Sequence, residues 1–96
     1  VNAIVGEASN QGFIGMLAVA EVIRARNGIE GGLYGFNAPH NASESKSTWE
    51  MARRAFLASK NTNITRGATG FGTKDEIPAG VKVVFRYREH VFYKRS

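Results

Sequence analysis

Cysteine is absent from this chain, so neither a disulfide framework nor a thiolate metal site is available. The two histidines, His40 and His90, stand far apart and form no ligand cluster, so neither a metal nor a cofactor is expected. No apolar run reaches membrane-spanning length: the longest, Phe13 to Ile23, is interrupted by Gly15 and Glu21. No charged-then-apolar leader opens the chain, and Val1 falls within sequence that already reads as ordered, so a targeting signal is expected upstream of it. The glycines from Gly67 to Gly72 lack the Gly-Lys-Ser or Gly-Lys-Thr ending of a phosphate loop, and no serine stands in an elbow motif that would pair it with a histidine base. Internal repeats and low-complexity segments are also missing.

What remains is 96 residues, enough for one small domain spanning 1–96. Acidic residues are outnumbered, 8 against 13 Lys and Arg, and the formal charge of +5 favours a polyanionic partner, whether nucleic acid, anionic lipid or cell-wall polymer. The excess gathers towards the carboxyl end, in Arg66, Lys74, Lys82, Arg86, Arg88, Lys94 and Arg95.

The order of elements is legible in outline. Val1 to Ala8 reads as the end of a helix, and Ser9-Asn10-Gln11-Gly12 as a corner in which Ser9 or Asn10 caps the next helix. From Phe13 to Asn27 apolar residues cover so wide a face that the helix is expected to be largely buried, with Gly28 as its stop. Gly28 to Ser47 is a long loop carrying Tyr34 and Phe36, a candidate cleft wall. Ser47 and Glu50 suggest a capping box opening a third helix with Trp49, Ala52 and Phe56 on one face and Arg53 and Arg54 beside it, ended by Asn61-Thr62-Asn63. After a glycine-dense loop, Val81 to Arg88 alternates as a half-buried strand, and Glu89-His90 turns the chain into Val91-Phe92-Tyr93.

Two carboxylates interrupt apolar helix sequence. Glu7, between Gly6 and Ala8, has small neighbours that leave room for a bulky substrate, and no arginine nearer than Arg24. An acid in apolar surroundings can hold its proton near neutral pH, which general acid catalysis requires, although residue type alone favours a helix-capping or ion-pairing role. Glu21 is the obvious second carboxylate: facing Glu7 it would complete the acid and base pair of a glycosidase, and otherwise it pairs with Arg24 or Arg53. Phe85-Arg86-Tyr87-Arg88 has the ingredients for stacking single-stranded bases, but equally those of an ordinary strand with one solvated basic face.

The succession Ile4-Val5-Gly6-Glu7-Ala8, a short turn, and an Ala18-Val19-Ala20 helix running to Asn27 resembles the opening of the SleB-like cell-wall hydrolase family. Trp49 with its Ala-rich helix, Asn63-Ile64-Thr65-Arg66-Gly67-Ala68-Thr69-Gly70-Phe71 and His90-Val91-Phe92-Tyr93 look like the family's later landmarks, in the same order. The resemblance implies a small, mainly helical α+β domain of lysozyme-like type, with a minor β element near the carboxyl end. It implies action outside the cytoplasm, in a cell wall, a spore cortex or as a phage-delivered endolysin, on peptidoglycan glycan strands. The bond between N-acetylmuramic acid and N-acetylglucosamine would be cut by a monomeric lytic transglycosylase with Glu7 as acid and base, and Thr69, Phe71, His90, Tyr93 and Tyr34 are the expected substrate-binding residues. The alternatives are a hydrolytic muramidase using Glu7 with Glu21, and a non-catalytic basic module that binds cell-wall polymer or nucleic acid. The chain departs from the family pattern in two places: Asn10-Gln11 replaces a second acidic residue, and Phe71-Gly72 stands where a histidine is common.

Overall fold

A computed structural model of the chain describes residues 1–26 and 38–95. Three α-helices, α1 (Asn2–Ala8), α2 (Gly12–Ala25) and α3 (Lys46–Ala58), precede a three-stranded antiparallel sheet of β1 (Gly70–Gly72), β2 (Val81–Tyr87) and β3 (His90–Arg95). This is the mainly helical α+β domain expected, with its small sheet near the carboxyl end. Much of the predicted loop from Gly28 to Ser47, Tyr34 included, lies outside the described residues; its last part contains a 3-10 turn at Pro39–Ser43.

The centre of the molecule is α2. Every residue from Gly15 to Ile23 is buried, so the helix is enclosed on all sides, as its near-continuous apolar sequence requires. Ala3, Ile4, Val5 and Ala8 of α1, Ala52 and Ala55 of α3, and Phe92 of β3 close around it. Many of these are alanines, and their small side chains let the helices lie close together. α3 is amphipathic in the expected way, with Trp49 and Phe56 packed on the core and Arg53 and Arg54 in solvent.

The ends of the helices differ from the expectation. α3 starts at Lys46, and Ser45 rather than Ser47 caps it, accepting from the Thr48 backbone N–H at 3.2 Å. At α2 neither Ser9 nor Asn10 caps; Gln11 occupies that position without a side-chain cap bond, and Gly12 makes the turn with φ +75°. A positive φ is strained for any residue with a Cβ, so the corner depends on glycine there.

β3 is the middle strand, in the order β1-β3-β2. His90 is the first residue of β3, so the connection from β2 is Arg88-Glu89, one residue earlier than read from the sequence. β1 lies inside the predicted glycine loop, with Gly70, Phe71 and Gly72 opposite Tyr93, Phe92 and Val91. The ladder of β2 and β3 slips between Val83 and Phe85, and this bulge lets the successive residues Val84 and Phe85 both pack against the core. Phe71, Phe85, His90 and Phe92 consequently group their rings on the helix-facing side of the sheet, with centroid separations of 5.2 to 6.0 Å.

Candidate active site

α1 ends one residue after Glu7, and the backbone turns through Ser9 to Gln11, whose N–H bonds the Ala8 carbonyl at 3.0 Å. The core-facing positions of α1 are taken by Ile4, Val5 and Ala8, which leaves Glu7 half-buried at the rim. The sheet meets the corner here. The Tyr87 ring lies beside Gly15 of α2, where an added Cβ would be 3.5 Å from Cε2, and the Arg88 guanidinium donates to the Asn10 carbonyl at 3.3 Å. His90 lies within electrostatic reach of Glu7. Burial pushes the His90 imidazole below its ordinary pKa, while the charges of Glu7, Glu89 and Glu76 pull it back up.

Of the residues anticipated from sequence, His90 and Phe71 come together, 5.2 Å apart between ring centroids, and Glu7 lies within electrostatic reach of His90. Thr69 and Tyr93 do not join them. Strand alternation turns Tyr93 to the face opposite His90 and Phe92, and with Thr69 it lines a separate hollow that does not include Glu7. Tyr34 lies outside the described residues.

One participant was missed. Gln11 is only 6% exposed, its Nε2 donates to Asn10 Oδ1 at 3.1 Å, and its Oε1 is buried with no protein partner among the described residues. An added Cβ on Gly15 would come within 2.3 Å of the Gln11 Cβ, so Gly15 makes room for this side chain under the corner. In the sequence Gln11 is indistinguishable from any polar turn residue.

Glu21 has a different setting from the one expected. It pairs with neither Arg24 nor Arg53. Its Oε2 accepts from Thr62 Oγ1 at 2.5 Å and the Ile64 N–H at 2.9 Å, and its Oε1 from the Thr65 N–H at 2.9 Å and Thr65 Oγ1 at 2.8 Å. Burial raises its pKa, but the four donors together outweigh burial and hold the carboxyl below its usual range. Nine residues along α2 from Gly12 place it roughly 13 Å from the corner along the helix axis. Arg24 instead binds the carboxyl end of α3, donating to the Phe56 carbonyl at 2.5 Å and to Ser59 Oγ at 2.6 Å, with its guanidinium 4.2 Å from the Phe56 ring centroid.

The corner thus offers one half-buried carboxylate within electrostatic reach of a partly buried imidazole, whose ring in turn lies 5.2 Å from Phe71 between centroids. Such an arrangement can donate a proton to a bound oxygen and take one back. Among the described residues no group of three or more His, Asp or Glu side chains is placed to hold a metal ion, and no helix is long and apolar enough to cross a membrane.

No protein-family model matches the sequence, and no curated protein matches it either. The fold is similar to the crystal structure of the catalytic domain of the Bacillus cereus SleB protein, with a TM-score of 0.66 at 21% sequence identity over 97% of this chain and 84% of that one. The chain therefore has a SleB-like fold.

Proposed function

We propose that this chain cleaves the glycan strand of peptidoglycan between N-acetylmuramic acid and N-acetylglucosamine, as a lytic transglycosylase outside the cytoplasm, with Glu7 as its single acid and base. The observation that carries this reading is the position of Glu7 on the rim of the α1–α2 corner, within electrostatic reach of His90, while the other glutamate of the helical core is engaged by four donors. The fold likeness to a catalytic domain and the order of the family landmarks support it.

In the reaction, protonated Glu7 gives its proton to the glycosidic oxygen as the C1–O bond breaks and positive charge develops on the muramic ring. The Glu7 carboxylate then removes the proton from that sugar's C6 hydroxyl while O6 bonds to C1. The products are a 1,6-anhydro ring and a free 4-hydroxyl on the departing sugar, and Glu7 is protonated again. No water is consumed, so no second carboxylate is required. Glu21, the candidate partner for hydrolysis, is committed to the segment after α3.

The test is digestion of purified sacculi followed by mass spectrometry of the released fragments. Muramic ends lighter by one water are expected from the wild type, and a release rate lower by about 10²–10⁴-fold from Glu7→Gln. Reducing muramic ends would replace this mechanism with hydrolysis. Undiminished release by Glu7→Gln, or no release by the wild type, would overturn the assignment, the latter in favour of a non-catalytic binding module.

A further inference from the structure

The outer face of the sheet, turned away from the helices, carries a hollow of about 980 Å³. Its wall combines Tyr93, Thr69, Lys94 and Arg95 with the small residues Gly70 and Gly80. Gly70 is opposite Tyr93 in the ladder, and a Cβ on Gly70 would lie 2.5 to 2.7 Å from Cε1, Cζ and the hydroxyl of Tyr93. The ring thus lies across the bare backbone of β1, and only glycine permits that. Beyond Tyr93 on the same face, its cross-strand partner Val83 is 36% exposed. The charged residues that line the hollow are Lys94 and Arg95, with no carboxylate among them. The hollow at Thr73, Lys74, Asp75, Arg86, Arg88 and Glu89 differs in mixing both signs, so its charge selects no partner.

We infer that the Tyr93 hollow is a recognition site, separate from Glu7, for a sugar ring that carries an anionic arm. The ring laid flat on Gly70 offers a rigid apolar platform for the C–H face of a pyranose, and the small residues around it leave space for the rest of the ring. Thr69 is positioned to exchange hydrogen bonds with sugar hydroxyls. Arg95, exposed at the end of β3, presents a fork of donors matched to a carboxylate, and Lys94 adds charge of the same sign. The two sites lie at opposite ends of β3 and on opposite faces, His90 within electrostatic reach of Glu7 and Tyr93 to Arg95 at the hollow. The choice of a muramyl peptide as the natural ligand rests on the proposed function; the chemistry of the hollow does not.

The experiment uses the Glu7→Gln chain, which keeps the hollow and removes turnover. Titration with N-acetylmuramyl-L-alanyl-D-isoglutamine, followed by amide NMR, is expected to shift Thr69, Gly70, Val81 and Tyr93. Binding should weaken about five-fold in Tyr93→Leu and about three-fold in Arg95→Gln, and should weaken as salt is raised. Neutral tri-N-acetylchitotriose should bind more weakly than the muramyl peptide and with no salt dependence. Arg95 is exposed, so its variant is expected to fold normally. Shifts confined to Glu7 and His90, or affinities unchanged in both variants, would overturn the inference. Sacculus digestion by the wild type reports on Glu7 independently, so loss of one reading leaves the other standing.

Discussion

Glu7 and Glu21 look alike as sequence, each a lone carboxylate among small and apolar helical neighbours, yet they occupy opposite situations in the molecule. Glu21 is 7% exposed and receives four hydrogen bonds from residues 41 to 44 positions further along the chain. Glu7 is half-buried where a short helix ends and the sheet arrives. Burial of a carboxylate is therefore not sufficient for acid chemistry. Surrounded by donors, a buried glutamate stays ionised and becomes a structural bracket, here one that fixes the chain after α3 to the central helix. Catalysis asks for a carboxylate whose ligands leave room for a proton and a substrate, and the four donors around Glu21 leave it none.

The strongest way to break this contrast is to compare the two sites by stability. Glu21→Leu leaves the Thr62 and Thr65 hydroxyls and the Ile64 and Thr65 N–H groups without their acceptor, three of these residues being buried or half-buried. A loss of about 3–5 kcal/mol is expected, a large part of the total stability of a domain this small. Glu7→Gln should stay within about 0.5 kcal/mol of the parent. Urea denaturation of both variants checks the pair, and similar losses at the two positions would abolish the distinction between bracket and rim.

Acid sharpens the same difference. Because the folded state holds the Glu21 carboxyl below its ordinary range, its contribution is complete above a pH of about 4.3 and is lost as pH falls through the lower folded value. Glu21→Gln is neutral at every pH and lacks that component, so its stability is expected to fall less steeply than the parent's below pH 4.3. Parallel declines in the two proteins would show that another group carries the acid sensitivity.

Sequence reasoning reached those parts of the fold that local pattern determines. α2 was legible because nine consecutive buried residues leave an unmistakable apolar run, and β2 because its basic and apolar residues alternate. It failed where distant partners decide. β1 is three residues of glycine and phenylalanine that become a strand through pairing with β3, some twenty positions away. The four donors around Glu21 are equally remote, and arginine was the natural but mistaken guess for its partner. At the corner, Glu7 was visible because small residues flank it, whereas Gln11 takes its place from the room that Gly15 leaves, which no residue type signals. Tyr93 and Thr69 were expected to bind substrate; strand alternation puts Tyr93 on the face opposite His90, where with Thr69 it lines a hollow that does not include Glu7.

The smallest effect concerns how the corner is tied to the sheet. A side-chain bond to the Arg88-Glu89 turn, from the Arg88 guanidinium to the Asn10 carbonyl, is exposed and 3.3 Å long, in contrast to the buried bracket at Glu21. Arg88 also holds φ +53°, where any Cβ is strained. Arg88→Ala loses the bond and keeps the strain, at an expected cost of about 0.5–1 kcal/mol. Arg88→Gly loses the same bond but relieves the strain, and although the glycine adds freedom to the unfolded chain, it should be the more stable of the two by about 0.5–1 kcal/mol. That order reverses the usual preference for alanine, so urea titration of the pair separates backbone strain from the hydrogen bond. If alanine were the more stable, the turn would not be strained, and the guanidinium bond alone would account for the choice of arginine.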